Sequence, residues 1–212
     1  MTPTVKNGNP ETRQSILDAL DRLLQQHVLD DIGVSEILAE AGLSSRTTYY
    51  QHFGSRDEAF IALAQHALDE IGAEVTRVIE DPDVRSSTQL RAAVDGWIIR
   101  GARHRGLTRS LITEWPRIHE LKAVYVAFLG ALSARLATTI DEDRSAGRVV
   151  TATDSRTLAT IVLWSAERSI YAAMAGATGF ADPSAVADTL VAGYLSLIYG
   201  LAPPSTVPVS RG

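Results

Sequence analysis

The sequence predicts an all-α protein, and three observations support this. Apolar residues recur at helical spacing along most of the chain, and no stretch shows the strict alternation of a half-buried strand. Proline pairs and glycines, among them Asn9-Pro10, Gly42, Asp81-Pro82 and Asp182-Pro183, separate these stretches at intervals typical of helices. We therefore expect about nine helices: three in a small N-terminal domain, a long connecting helix, and a larger helical body.

The first three helices are predicted within residues 1–54. Helix one begins at Asn9-Pro10 and runs to about Val28, because leucine and isoleucine recur at helical spacing between these points. Two short helices follow at about residues 35–41 and 46–52, and Gly42 is expected to end the first of them. This pattern predicts a compact N-terminal domain.

The remaining helices are predicted from residue 55 onward. Ser55 and Glu58 form a capping box for a long helix that reaches about Glu80 and stops at Asp81-Pro82. Further helices are expected at about residues 88–104, 107–115, 117–146, 154–176 and 183–200. The domains are accordingly predicted as 1–54, 55–202, and a proline-rich disordered tail at 203–212.

The composition excludes several classes of protein. The chain has 212 residues, a formal net charge of -5 and no cysteine, so neither a disulfide framework nor a thiolate metal site is expected. The N-terminus lacks the features of a signal peptide, and the apolar run at 123–132 is too short to span a bilayer. We expect a cytoplasmic protein with no membrane contact, no metal and no cofactor.

The stretch from Ala41 to Phe60 contains no carboxylate before Asp57, although the chain is acidic. Two short helices around a glycine-led turn, with Arg46 and small hydroxyl residues starting the second, are typical of a helix-turn-helix. Duplex DNA carries about one negative charge per 1.7 Å and repels carboxylates. The pattern therefore predicts that the second helix reads DNA, with Thr47 and Thr48 at the base edges.

The segment AEAGLSSRTTYYQHFGSRDEAF resembles the helix-turn-helix signature of the TetR family of bacterial repressors. The resemblance implies a helix-turn-helix DNA-binding domain and a ligand-binding and dimerisation domain. It also implies a homodimeric transcriptional regulator, most often a repressor, that binds double-stranded DNA at a palindromic operator and is released by a small apolar effector. The candidate DNA-binding residues are Ser44, Ser45, Arg46, Thr47, Thr48, Tyr50, His52 and Arg56, of which Tyr50, His52 and Arg56 would contact phosphates.

Two departures from the family pattern affect the predicted reading helix. Arg56 replaces the commoner lysine, and the segment between Gly42 and Tyr50 is one residue longer, which we place at Ser44-Ser45. The longer turn leaves two registers of the reading helix open, which differ by one position. Arg46 then becomes a further candidate base reader.

The segments WSAERSIYAAMAG and DTLVAGYLSLIYG are similar to the closing helices of EthR-like repressors, which implies dimerisation through helices at about 154–176 and 183–200. The small residues expected at that interface are Ala172, Ala173, Ala175, Gly176, Ala192 and Gly193. The resemblance also implies an apolar, elongated ligand tunnel in the body. Its candidate residues are Trp97, Tyr125, Phe128, Leu163, Trp164, Ala166, Glu167, Tyr171 and Tyr194.

Four alternatives to these predictions are considered at this point. The aromatic residues of the body could fill a core instead of lining a tunnel, and Glu167 with Arg168 could be a partly buried ion pair that holds the bundle. A helical enzyme that binds small molecules is disfavoured because the five histidines form neither HExxH nor Glu-x-x-His. A protein-interaction module without DNA binding would not need the carboxylate-poor reading helix. We expect no catalytic residues.

Overall fold

The computed structural model describes residues 9–81, 87–175, 177–180 and 182–201, and the regular structure in these ranges is entirely helical. A single 3-10 turn at Leu29–Asp31 accompanies the α-helices. The helices are α1 Pro10–Leu24, α2 Val34–Glu40, α3 Arg46–His52, α4 Arg56–Ile79, α5 Ser87–Arg103, α6 Arg105–Glu114, α7 His119–Ser145, α8 Ser155–Met174 and α9 Pro183–Tyr199. The predicted all-α fold is confirmed. Pro82, Gly176 and the tail at 203–212 lie outside the described residues.

The chain forms two compact units. The first contains Met1–Glu70 and Gly101–Tyr125, and the second contains Ile71–Arg100 and Val126–Gly212. The helices α4, α5 and α7 therefore each contribute residues to both units. The first unit includes α6, whereas the sequence predicted one domain from residue 55 to residue 202.

The core of the first unit forms where α1 packs on α2 and α6, and α2 packs on α3. Its fully buried large side chains include Ile16, Leu20, Ile37, Tyr49 and Phe60. Burying a side chain of this size contributes about 1.5–3 kcal/mol. Because these residues follow helical spacing, each short helix is stabilised mainly by its buried face.

The helix boundaries are set by local hydrogen bonds at most of the predicted points. The Asn9 side chain accepts a bond from the Glu11 amide at 3.0 Å. The Ser55 hydroxyl accepts from the Glu58 amide at 3.0 Å, and the Glu58 carboxylate accepts from the Gly54 amide at 2.5 Å. At the other end of the chain, Gly200 ends α9 in the left-handed conformation, with φ 67°.

Helix α1 ends at Leu24, four residues before the predicted end at Val28. The apolar spacing extends to Val28, yet its side chain is 50% exposed. The carbonyls of Leu24 and His27 instead accept hydrogen bonds from Arg109 of α6, at 3.1 and 3.0 Å. Arg109, at least 82 positions away in the sequence, thus satisfies the free carbonyls at the end of α1. The apolar periodicity of α1 itself could not predict this contact.

The core of the second unit forms around α8 and α9, which pack against each other. Val162, Ala166, Ala187, Val191 and Ile198 are buried in this core. A buried polar group fixes the end of α7: the fully buried Asp143 carboxylate accepts from Arg148 at 2.6 Å and from the Tyr199 hydroxyl at 2.7 Å. These charge-assisted bonds offset the cost of burying the carboxylate.

Helix α7 is long and apolar enough, by length and composition, to cross a membrane, in contrast to the expectation from the shorter run at 123–132. A core helix of a globular protein passes the same test. One side of α7 is buried in the protein, and that side includes the polar residues Ser133 and Asp143 together with Leu129 and Ile140. These buried polar side chains are typical of a helix packed in a protein interior.

Candidate nucleic-acid interface and internal cavity

The turn between α2 and α3 depends on Gly42. Its φ of 69° lies in the left-handed region, which glycine adopts without the steric cost of a Cβ atom. The Leu43 amide then donates to the Leu38 carbonyl at 2.8 Å and closes α2. After the turn, the Ser45 hydroxyl accepts from the Thr48 amide at 3.3 Å and starts α3.

The inner face of α3 is fixed by aromatic packing. Tyr49 is fully buried, and its hydroxyl donates to the Ser55 carbonyl at 3.2 Å. Burial raises the pKa of Tyr49 above its ordinary value, so the hydroxyl remains a donor. Phe53 is also buried, and the Arg13 guanidinium lies 5.1 Å from its ring centre. These contacts hold α3 in a single orientation.

The outer face of α3 presents most of the predicted DNA-binding residues. Ser44, Ser45, Arg46, Thr47 and Tyr50 are exposed, and Thr48 is half-buried. No carboxylate occurs in α3 itself, and the carboxylate of Glu58 is engaged at the Gly54 amide. The arrangement offers hydroxyl and guanidinium donors to an anionic surface.

His52 lies on the inner side of α3, although the sequence predicted a phosphate contact. Its side chain is buried, and burial, with a smaller contribution from the charge of Arg13, lowers its pKa below the ordinary value. A buried, neutral imidazole is placed to pack within the unit. Its contact with DNA stays a prediction.

Arg56 is also placed differently from a surface phosphate contact. Its guanidinium donates to the Leu29 carbonyl at 2.8 Å and to the Asp57 carboxylate at 3.1 Å, and it reaches Asp30 at 3.4 Å. The side chain therefore joins the start of α4 to the 3-10 turn before α2. A phosphate would have to share a guanidinium that already has these partners.

Helix α6 packs against α1 in the first unit, a contact that the sequence did not predict. A Cβ atom at Gly106 would lie 2.0 Å from the Leu24 carbonyl oxygen, so only glycine permits this approach. His104 Nδ1 lies 2.9 Å from the Asp21 carboxylate, next to this point. His104 and Asp21 are 83 positions apart in the sequence, so local sequence patterns could not predict that they contact each other.

The second unit contains an apolar cavity of about 90 Å³. Four predicted ligand-binding residues line it: Trp97, Leu163, Ala166 and Tyr194. The other lining residues come from α4, α5, α7, α8 and α9, and they are Val75, Val78, Ile79, Leu90, Ala93, Val94, Leu136, Thr139, Val162, Val191, Ile198 and Tyr199. Their helical spacing was visible in the sequence, but periodicity does not distinguish residues that line a cavity from residues that fill a core.

The hydroxyl groups in the cavity lining are engaged within the protein. Tyr194 donates to the Val162 carbonyl at 3.0 Å, Tyr199 donates to Asp143 at 2.7 Å, and Thr139 donates to the Ile79 carbonyl at 3.3 Å. Burial raises the pKa of Tyr194 to about 12, which keeps this hydroxyl protonated. The lining is therefore apolar in its chemistry as well as in its composition.

The other five predicted ligand residues do not line this cavity. Tyr125 stacks on Trp115 with ring centres 5.4 Å apart, and Phe128 packs against the backbone at Gly72. Glu167 is buried beside Arg168, whose guanidinium lies over the Tyr171 ring. The remaining predicted ligand residue is Trp164, which is half-buried. Ligand contact by these five residues stays a prediction.

A second, polar cavity of about 430 Å³ lies beside the end of α4 and is open to solvent. Arg135 forms an ion pair with Glu80 there. Within the described residues, no group of three or more histidines, aspartates or glutamates is placed to hold a metal ion. The apolar cavity is the better candidate for a regulatory ligand.

Comparisons with known proteins identify relatives over most of the chain. Residues 90–200, more than half of the chain, match the family described as the C-terminal domain of the transcriptional regulator EthR. The chain is similar to the HTH-type transcriptional regulator EthR of Mycobacterium tuberculosis, with 25% identity over 198 residues, 93% of this chain and 91% of that protein.

Solved structures support the same fold. The repressor SmeT of the Stenotrophomonas maltophilia multidrug efflux pump SmeDEF matches with a TM-score of 0.71 and 18% identity, covering 92% of this chain and 97% of SmeT. The regulatory protein TetR from Rhodobacter sphaeroides matches with a TM-score of 0.68 and 19% identity, covering 88% of this chain and 98% of that chain.

Proposed function

This chain belongs to the TetR family of transcriptional regulators and has a C-terminal domain of the EthR type, and we propose that it represses transcription as a homodimer on a palindromic operator. It is a DNA-binding regulator and not an enzyme, in keeping with its relatives. Such a protein acts where its operator is, so we assign it to the cytoplasm. The observation that carries the proposal is the exposed, carboxylate-free face of α3.

The reading residues in this proposal occupy the start of α3. Arg46 and Thr47 are exposed, and Thr48 is half-buried behind them. Side chains at the start of a reading helix reach base edges, whereas residues farther along contact phosphates. We therefore assign base reading to Arg46, Thr47 and Thr48, and phosphate contact to Ser44, Ser45 and Tyr50, whose ring is 47% exposed.

The assembly in this proposal uses α8 and α9. Ile161 on α8 and Leu197 on α9 are large apolar side chains that are 54% and 45% exposed. Gly193 of α9 is exposed, and a Cβ atom there would meet nothing within 4 Å, so a second backbone has room to approach. A second copy of these helices would cover the exposed apolar side chains. Binding to two half-sites then requires the two reading helices to lie about 34–36 Å apart.

The effector in this proposal is a neutral, apolar molecule held in the cavity of the second unit, and it is compact instead of elongated as the sequence predicted, because the cavity measures only about 90 Å³. A charged group would find no counter-charge among lining side chains, and burying an unpaired charge is costly. Because Tyr194, Tyr199 and Thr139 already have partners, a strongly polar ligand would gain few hydrogen bonds. The cavity of about 90 Å³ is smaller than an engineered cavity of about 150 Å³ that binds benzene, so the effector would be a small ring or short chain and the lining would have to widen to admit it.

The effector would release the protein from DNA because it binds two conformations of the protein with different affinities. An effector that prefers one arrangement of the cavity helices shifts the protein toward it, and DNA and effector then weaken each other by the same factor. Helices α4, α5 and α7 continue from one compact unit into the other, so their backbones can transmit a displacement.

The DNA-binding proposal is tested by selecting bound sequences from a random duplex library. We expect an enriched palindrome. Thr47→Ala or Thr48→Ala should change the enriched sequence, whereas Tyr50→Ala should lower affinity for all sequences about equally. Failure of the folded dimer to enrich any sequence would refute the proposal.

The effector proposal is tested with three probes of matched shape: toluene, benzoate and benzylamine. The fluorescence of Trp97, isolated by comparison with a Trp97→Phe variant, should respond to toluene and not to the two charged probes. Ala166→Trp should abolish the response because the indole fills the cavity. A stronger response to benzoate or benzylamine would contradict the assignment.

A further inference from the structure

We propose that Ser35 is a positioning residue for DNA reading, which orients the Arg46 guanidinium toward the bases without cancelling its charge. This inference rests on the proposed DNA-binding function of α3. It adds a residue of α2, outside the reading helix and its turn, to the determinants of sequence preference.

The geometry joins the starts of two helices. Ser35 lies in the first turn of α2, and Arg46 is the first residue of α3. An Nη of Arg46 donates to the Ser35 hydroxyl oxygen at 2.6 Å, and both side chains are exposed. Because Arg46 uses one of its five N–H donors here, four remain available for base or phosphate atoms.

The chemistry of this contact differs from that of other arginines in the same unit. Arg22 pairs with the Glu40 carboxylate at 2.5 Å, and Arg117 pairs with Asp30 at 3.2 Å. Within the part of the chain that the structure describes, Arg46 forms no ion pair and has only the neutral Ser35 hydroxyl as a partner. Its positive charge is therefore retained for DNA.

The neighbouring carboxylate is directed elsewhere. Glu36 follows Ser35 in α2, and its carboxylate oxygen lies 2.5 Å from the position a Cβ atom would take at Gly33. The side chain thus folds back over the start of its own helix. This placement keeps the Glu36 carboxylate away from Arg46, although Glu36 is the residue next to Ser35 in the sequence.

Orientation by a neutral hydroxyl has two consequences for recognition. A long arginine side chain loses much rotamer freedom when it reads a base, and a preformed contact reduces that loss on binding. The Ser35 O–H proton is also not used in accepting the bond from Arg46, so the hydroxyl can donate to the DNA at the same time. Ser35 should therefore affect which base pair Arg46 prefers.

The test compares four variants of the full-length dimer: Ser35→Ala, Ser35→Thr, Ser35→Asp and Arg46→Ala. The probes are the duplex recovered by the wild-type protein from a random library and its single-base-pair variants. Ser15→Ala serves as the control, because Ser15 donates to the Glu11 carbonyl of its own helix at 3.0 Å. Circular dichroism and sedimentation establish that each variant is folded and dimeric.

We expect Ser35→Ala to weaken binding to the recovered duplex by about threefold to tenfold. It should relax preference at the same base pairs as Arg46→Ala, and it should have little further effect in the Arg46→Ala background. Ser35→Thr, which keeps the hydroxyl, should retain the wild-type preference. Ser35→Asp should lower affinity more than Ser35→Ala and reduce the salt slope by about one, since it neutralises one cation.

Three outcomes would overturn the inference. Ser35→Ala could leave affinity and preference unchanged, it could weaken all sequences equally, or its effect could add in full to that of Arg46→Ala. If the wild-type dimer recovers no sequence, the proposed function fails and this inference fails with it. If the wild-type dimer recovers a sequence and one of the three outcomes occurs, only the role of Ser35 is refuted.

Discussion

At the scale of single residues, Arg56 contacts backbone carbonyl groups of the protein, whereas the family resemblance predicts a DNA phosphate as its partner. Its guanidinium donates to the Leu29 carbonyl at 2.8 Å and lies near the carboxylates of Asp30 and Asp57. The family resemblance assigned this position to phosphate binding, because a basic residue opens the fourth helix. In the structure, Arg56 also holds the 3-10 turn that precedes α2.

Replacing Arg56 by alanine should therefore lower the stability of the fold. The Leu29 carbonyl would keep its bond from the Ile32 amide but would lose the charge-assisted bond from Arg56. We therefore expect a loss of about 1–3 kcal/mol in the free energy of unfolding. Urea denaturation followed by circular dichroism measures this. Arg22→Ala is the matched control, because Arg22 forms a more exposed ion pair. Equal stability of the wild-type and Arg56→Ala proteins would show that Arg56 has no structural role.

His52 should make stability depend on pH. Burial and the nearby Arg13 charge hold its pKa below the ordinary 6.5, so the unfolded chain binds the proton more readily than the folded protein. The contribution of this group is present above pH 6.5 and is lost as the pH falls through the folded pKa.

A His52→Gln variant should therefore lose less unfolding free energy than the wild type between pH 7 and acidic pH. Denaturation curves for both proteins across this range measure the difference. If the unfolding free energies of the wild type and the variant changed equally with pH, the assignment of a buried, neutral histidine would be contradicted.

At the scale of elements, the sequence predicted helix type and order well because apolar periodicity and capping residues are local signals. Asn9, Ser55, Asp154 and Asp182 each accept a backbone hydrogen bond at a helix start. The end of α1 was predicted incorrectly, because Arg109 satisfies its carbonyls from a distant helix. Periodicity also could not separate cavity-lining residues from core residues, which explains why only four of the predicted ligand residues line the cavity.

The contact between α1 and α6 leads to a prediction at Gly106. A methyl group there would collide with the Leu24 carbonyl, so Gly106→Ala should force the helices apart and cost about 1–3 kcal/mol. Gly130→Ala is the control, because a Cβ atom at Gly130 in α7 meets nothing within 4 Å. That control should be neutral or stabilising by up to about 1 kcal/mol.

Thermal unfolding of the two variants tests this prediction. Gly106→Ala should melt below the wild type, and Gly130→Ala should melt at the same temperature or above it. If Gly106→Ala were as stable as the wild type, the close approach of α6 to α1 would be wrong.

At the scale of the whole molecule, the proposed function requires a dimer, because each proposed reading helix alone has few cationic side chains. Ala192 of α9 is half-buried, and the adjacent Gly193 is exposed on the proposed interface. Ala192→Arg should place a bulky charge there and shift the protein toward monomers at micromolar concentration. Ala102→Arg, at an exposed position of α5, is the matched control and should remain dimeric. Sedimentation of a fully dimeric Ala192→Arg variant would exclude this interface.

The net charge of the chain is consistent with a local reading surface. A formal charge of -5 disfavours general attraction to nucleic acid, so specific binding must come from the few donors on α3 and its turn. The same feature makes two half-sites necessary, because one reading helix offers Arg46 as its main cation. The proposal therefore predicts that a monomer binds DNA weakly and that a dimer binds it strongly.

The central claim, that paired α3 helices read a palindromic operator, is tested most directly by hydroxyl-radical footprinting on the selected duplex. The account predicts two symmetric protected regions whose centres lie about 34–36 Å apart, or a multiple of one helical turn. Arg46→Glu should abolish both regions in a folded dimer. A single asymmetric footprint, or protection that is unchanged in Arg46→Glu, would contradict the claim.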